Sequence, residues 1–341
     1  MLRYDCFHHD MSPSENWPRI AVVGAGAVGG YFGGMLARAG APVVMIGRPA
    51  FVDAVRKNGL LLDTLQFKET VRVEASTELA AARGADLVLF CVKTTDTEST
   101  ARSLAPLLPS SLASSSLASS SATVVSLQNG VDNAEKIRAA GIDALSAVVY
   151  VAASVPEPGR VKHVGRGDLV VGPRNARSEN FAALFERAGV ACRISDNIDG
   201  ELWTKLIWNC ALNAISALGR AKYGLIAESE GARKVVEAVV NEVLAVACAA
   251  GIQLPGVETP QAGLAGALKI ATQMSGAISS TGQDLMRGKR TEIDSLNGYI
   301  SRRGAELGVP TPVNHALYAL VKLAEESNEL SARSAPAATA R

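Results

Sequence analysis

Residues 19–34 read RIAVVGAGAVGGYFGG, and the fold follows from them. The run IAVV is short, apolar and β-branched, the pattern of a strand covered on both faces. Gly24, Gly26 and Gly29 follow it as GAGAVG and lead directly into a helical stretch. In that strand–loop–helix setting the GxGxxG spacing is a dinucleotide fingerprint rather than a chance spacing. The first glycine allows the tight turn, the second lets backbone approach a pyrophosphate, and the third lets the helix pack close to the strand. Ala25, Ala27 and Val28 complete the loop, whose free amides and helix N-terminus favour an anion. Gly30, Gly33 and Gly34 extend a small packing face.

Outward from this loop, apolar runs alternate with helical stretches: PVVMIGR (42–48), ADLVLFCVK (85–93) and ATVVSLQNG (122–130). Successive βα units of a parallel sheet read this way. ALSAVVYVAASV (144–155), then RVKHVG and DLVVG, are expected as antiparallel strands closing the sheet, with Pro156, Pro158 and Gly159 in the turn. Beyond Asp196 the period changes to three and four, through ELWTKLIWNCALNAISAL, ARKVVEAVVNEVLAVACAAG and VNHALYALVKLAEESN. The expected architecture is an α/β, Rossmann-type dinucleotide-binding domain (19–196) followed by an all-helical domain (197–330). Residues 1–18 read as a flexible extension, 331–341 as a frayed tail, and the serine tract 110–121 as a surface insertion without chemistry.

At the end of the second strand an NAD-specific protein places an acidic residue for the ribose hydroxyls. This chain has Gly47 and Arg48. A guanidinium grips a 2′-phosphate that a carboxylate would repel, so the expected cofactor is NADP(H). Lys93 and Asn129 follow later strands and fall where carboxyl ends line the ligand crevice.

Composition narrows the partners. Among 341 residues, 34 lysines and arginines nearly balance 33 acidic residues. That leaves no basic field for nucleic acid and points to a small-molecule partner. No apolar stretch is long enough to span a bilayer. Five scattered cysteines without CxxC spacing read as reduced thiols of a cytoplasmic protein. Cys6, His8, His9 and Asp10 have no second cluster to complete a metal site, so none is expected.

In the second half, Lys205, Asn209 and Asn213 stand at i, i+4 and i+8, with Glu201 one turn earlier. One helix thus carries an ammonium and two amides as a line among apolar neighbours. The run SSTGQDLMRGKRTEIDSLNGYI (279–300) adds hydroxyls and carboxylates, although spacing cannot show that it faces Lys205.

Taken together, GxGxxG, the lysine after the fourth strand, QNG, LWxKLxxNxxxN and SSxxxDxxxGxxTEIDxLNG resemble the ketopantoate reductase (2-dehydropantoate 2-reductase) family, from about Arg19 to Ala324. The resemblance implies an active site in a cleft between the two domains. It makes Lys205 the catalytic lysine and Glu292 the acidic residue beside it. Asn209, Asn213, Ser280 and Asn129 become substrate contacts, and Lys93 and Asn129 neighbours of the nicotinamide. The implied reaction is hydride transfer to a 2-oxo acid, ketopantoate giving pantoate on the way to pantothenate and coenzyme A. The chain departs from the family pattern at Ala214, at Ser279-Ser280-Thr281 and at Ala277, which leaves open a paralogue acting on another 2-oxo acid. A non-catalytic NADP(H) sensor is the alternative of a different class. Apolar helices in the second domain are compatible with a homodimer.

Overall fold

The computed structural model describes residues 17–108 and 122–334. The serine tract, the possible ligands Cys6, His8, His9 and Asp10, and most of the two termini lie outside these residues. Strand β1 (Ile20–Val23) enters the glycine loop and helix α1 (Ala27–Arg38), then β2 (Val43–Ile46) and α2 (Pro49–Asn58). Next come a hairpin of β3 (Leu60–Asp63) and β4 (Lys68–Val71), β5 (Glu74–Ser76), β6 (Leu87–Phe90) and α3 (Thr97–Leu104). The sheet continues with β7 (Thr123–Ser126), α4 (Asn133–Ala139), β8 (Ala144–Glu157), β9 (Arg160–Gly172), α5 (Ala176–Arg187) and β10 (Cys192–Ile194).

The ten strands form one sheet in the order β4-β3-β9-β8-β7-β6-β1-β2-β5, with β10 on β9. From β8 to β5 all neighbours are parallel. The chain passes from β1 to β2, crosses to the far edge for the β3–β4 hairpin beside β9, comes back to β5 next to β2, and then places β6 on the other side of β1. That reversal opens a crevice above the carboxyl ends of β1 and β6, where open α/β sheets bind ligands. Alternation along β1 feeds both faces: Ile20 and Val22 join one core and Ala21 and Val23 the other.

Two features of the sheet differ from the sequence reading. The β3–β4 hairpin is absent from it, because β4 is KETV with only Val71 buried and shows no apolar alternation. RVKHVG and DLVVG form one strand, since β9 runs antiparallel to β8 through an irregularity at Arg166 and Gly167, both with positive φ.

From Ile198 onward the described elements are helical: α6 (Ile198–Gly219), α7 (Tyr223–Glu228), α8 (Glu230–Ala249), α9 (Pro260–Gln273), α10 (Ser280–Met286), α11 (Asn297–Leu307) and α12 (Pro312–Ser334). Helix α12 continues through Ser331 to Ser334, where a frayed tail was expected. Among the described residues no helix is long and apolar enough to cross a membrane.

Helix α6 belongs to both halves. Asn197 caps it by accepting from the Gly200 amide, and Ile198 and Leu202 pack on Val148 of β8 and Val170 of β9. Burying each of those α6 side chains contributes about 1.5–3 kcal/mol. This anchor places the next turn, at Lys205, over the β8 backbone. Further along, Leu206, Ile207, Cys210 and Ala211 enter the core of the helical half with Val239, Val243 and Ile300.

Candidate active site

The glycine loop has the three properties that its spacing requires. Gly24 has φ +100°, and a side chain there would meet Val92 N at 2.6 Å. A Cβ on Gly29 would sit 2.4 Å from the Gly24 carbonyl oxygen. A Cβ on Gly26 would meet nothing within 4 Å, so that position faces open space. Helix α1 starts beyond Gly26 with no side-chain cap and no acidic residue in its first turn. Its first amides, from Ala27 onward, are therefore available to an anion. Arg48 is exposed at the N-cap of α2, and its guanidinium has no partner among the described residues. An uncapped helix end and a free guanidinium near the end of the neighbouring strand β2 fit the pyrophosphate and an extra phosphate of a dinucleotide.

Across the crevice, three residues from distant parts of the chain converge. The Lys205 ammonium donates to Asn129 Oδ1 at 2.9 Å and to the Val149 carbonyl at 2.6 Å. Asn129 Nδ2 donates to Glu292 Oε2 at 3.0 Å, and Glu292 Oε1 accepts from the Thr94 amide at 3.0 Å. Lys205 and Glu292 are thus joined through one amide rather than by direct contact. The Asn129 oxygen faces the cation and its nitrogen faces the carboxylate, so both charges hold one orientation of the amide. Burial lowers the Lys205 pKa from 10.5 to about 8; Glu292 opposes that shift and Arg166 adds to it.

Arg166 stacks on the Tyr150 ring at 3.8 Å, and the Lys205 ammonium lies 5.9 Å from the centre of the same ring. A cavity of about 260 Å³ opens beside Tyr150, between Arg166, Arg193 and Trp208. Its two arginines are engaged by Asp168 and Glu201. Glu201, read from the sequence as part of the polar line of α6, is therefore an ion-pair partner at its edge.

The remaining expected residues take different positions. Lys93 Nζ lies 2.5 Å from Asp284 Oδ2 of α10 and donates to the Arg290 carbonyl at 3.3 Å, bridging the crevice. Asn209 is partly buried, and its side-chain amide has no hydrogen-bond partner among the described residues. Asn213 is only 4% exposed, and its Oδ1 accepts from the Tyr223 hydroxyl at 2.8 Å. Ser280 is exposed at the start of α10, while its neighbour Ser279 is buried as the cap, accepting from Gly282 and donating to the Asn213 carbonyl.

Sequence reasoning missed the residues that hold Asn129. Gln128 donates to the Val92 carbonyl and to Thr97 Oγ1, and its own oxygen accepts from Ser126. Thr97 donates to Asn133 Oδ1, and Asn133 donates to the Asn129 carbonyl. The available signal was the glutamine of QNG, too polar for the end of a buried strand unless it is fully bonded.

With this geometry in place the chain can be compared with known proteins. The family described as ketopantoate reductase PanE/ApbA matches residues 20–176, and its C-terminal counterpart matches residues 197–325. The chain belongs to the ketopantoate reductase family. The 2-dehydropantoate 2-reductase of Pyrococcus horikoshii is 32% identical over 311 residues, covering 90% of this chain and 97% of that one. A ketopantoate reductase family structure from Ralstonia eutropha JMP134 is 48% identical with a TM-score of 0.83, covering 91% of this chain and 99% of the other. A D-mandelate dehydrogenase solved with NADH and anilino(oxo)acetate shares the fold, with a TM-score of 0.81 at 24% identity over 91% of this chain and 99% of its own.

Proposed function

We propose that this protein reduces 2-dehydropantoate to pantoate with NADPH, a step toward pantothenate and coenzyme A. The observation that carries the proposal is the Lys205 ammonium, partly desolvated and held by Asn129 and Val149 in the crevice that the glycine loop also borders. The 2-dehydropantoate 2-reductase relatives support the choice of acid. When bound, the dinucleotide supplies the hydride for the 2-oxo carbon.

The chain's own residues do the rest. A lysine with a pKa of about 8 is about nine-tenths charged at pH 7. It can therefore orient the oxo group as a hydrogen-bond donor and then give its proton to the oxygen as negative charge develops there. Glu292, through Asn129, keeps the ammonium charged in a desolvated place. Asn209, one turn beyond Lys205 on α6, and Ser280, at the exposed start of α10, offer polar side chains for the carboxylate and the remainder of the acid. The free Arg48 guanidinium supports NADPH over NADH.

The test is steady-state oxidation of NADPH against a panel of 2-oxo acids, with the wild type and Lys205→Ala. We expect fastest turnover with 2-dehydropantoate and a loss of at least about a hundredfold in kcat for the variant. Faster turnover of another acid would reassign the substrate. A wild type inactive on every acid, or a variant with unaltered kcat, would leave a dinucleotide-binding sensor as the reading.

A further inference from the structure

The polar line of α6 does not offer three equivalent contacts. Lys205 reaches Asn129 and Val149 in the crevice, whereas Asn213, about 12 Å beyond Lys205 along the helix axis, is almost wholly buried and already accepts a hydrogen bond from the Tyr223 hydroxyl. Tyr223 opens α7 and is itself 8% exposed. Its backbone amide donates to the Ala277 carbonyl, and the next amide, of Gly224, donates to Ser275. Ser279 closes the group by donating its hydroxyl to the Asn213 carbonyl and its amide to Ser216 Oγ. Tyr223 thus joins Asn213 to the segment 275–279 that leads into Ser280.

A side-chain amide has two faces of opposite character, and nothing in its shape decides which one a ligand meets. The phenol decides it here: Oδ1 is occupied, and no described residue accepts from Nδ2. Burial raises the Tyr223 phenol above its ordinary pKa, so it stays a donor throughout the working pH range.

We propose that Tyr223 is a specificity-determining positioning residue, which fixes Asn213 as a donor so that the far end of the pocket selects a 2-oxo acid carrying an acceptor oxygen remote from its oxo group. A hydroxyl at the far end satisfies that donor, whereas a methyl there leaves it buried and unpaired, which is where hydrogen-bonding sites discriminate most strongly. The inference rests on the proposed reduction of a 2-oxo acid in this cleft.

Tyr223→Phe keeps the ring and both backbone bonds and removes only the hydroxyl. The two probes are 2-dehydropantoate and its 4-deoxy analogue, 3,3-dimethyl-2-oxobutanoate. The wild type should prefer the hydroxylated acid by about tenfold or more in kcat/KM. The variant should lose most of that preference through a higher KM for the hydroxylated acid, with kcat and the constants for the deoxy acid within about twofold. In an Asn213→Ala background, which should lose the same preference, Tyr223→Phe should add nothing further. If Tyr223→Phe does not fold, the Asn213→Ala comparison carries the test alone. Equal losses on both acids, or a preference left intact, would overturn the proposal while leaving the reductase reading standing. A wild type that reduces neither acid would overturn that reading and the proposal with it.

Discussion

Replacing Glu292 by glutamine removes a charge from the site while keeping its shape and one acceptor oxygen. The path from Glu292 to Lys205 consists of hydrogen bonds of 3.0 and 2.9 Å with one amide between them. At full stretch the charges are then about 8 Å apart, and with an effective dielectric of about 20 they interact by about 2 kcal/mol, or about 1.5 pKa units. The sign follows from the direction of the coupling: the carboxylate favours the charged ammonium, so its loss lowers the lysine pKa. Starting from about 8, Lys205 should fall to about 6.5 in the variant. Near pH 6 most of the lysine is charged in both proteins, so their kcat/KM values should lie within about twofold. At pH 8 the wild-type lysine is half charged and the variant's only about 3%, a loss of about fifteenfold. The assay is kcat/KM for 2-dehydropantoate with saturating NADPH from pH 5.5 to 9, which reports the pKa of the acid in the enzyme before the oxo acid binds. A basic limb that stays in place or moves upward, or a loss equal at all pH values, would refute the coupling through Asn129.

Four other outcomes follow from the structure. Arg48→Glu should raise the Kd for NADPH by about a hundredfold and that for NADH by under about threefold, the scale of one lost charge-assisted contact plus repulsion; equal effects in a fluorescence titration would remove the 2′-phosphate role. Gly26→Ala should leave thermal stability within about 1 kcal/mol, because its methyl meets only open space, while abolishing dinucleotide binding. Gly29→Ala drives its methyl into the Gly24 carbonyl and should cost about 1–3 kcal/mol in a melting experiment. Finally, the folded-state pKa of Lys205 lies below its ordinary value, so its charge opposes folding below about pH 8 and that penalty fades as pH rises toward 10.5. Lys205→Met should therefore be the more stable protein at pH 7, by up to about 3 kcal/mol less the cost of the Asn129 and Val149 oxygens that lose their donor, with the gap narrowing at pH 10.

What the sequence disclosed divides along physical lines. The glycine loop was legible because its three roles depend on near neighbours: strand, turn and helix start. The spacing of Lys205, Asn209 and Asn213 was legible as a helix face for the same reason. That Glu292 comes near Lys205 was accessible only through family resemblance, since no local rule relates residues so far apart in the chain. The amide between them, and the burial of Asn213 behind Tyr223, depend on packing that periodicity does not encode. The β3–β4 hairpin escaped notice because a solvated edge strand carries little apolar alternation. The continuity of β9 was hidden by Arg166 and Gly167, which interrupt the apolar pattern but serve as a bend within one strand.

Asn129 carries a further consequence for anyone who recombines these proteins. It comes from the sheet half, yet both of its side-chain partners, Lys205 and Glu292, come from the helical half. Position 129 therefore works as an adaptor with two unlike sockets, and aspartate, which has the same outline, would offer an oxygen to both. A hybrid that takes its α/β half from one family member and its helices from another must bring an amide to this point in register with both sockets. Surface fit alone therefore does not make two such halves compatible.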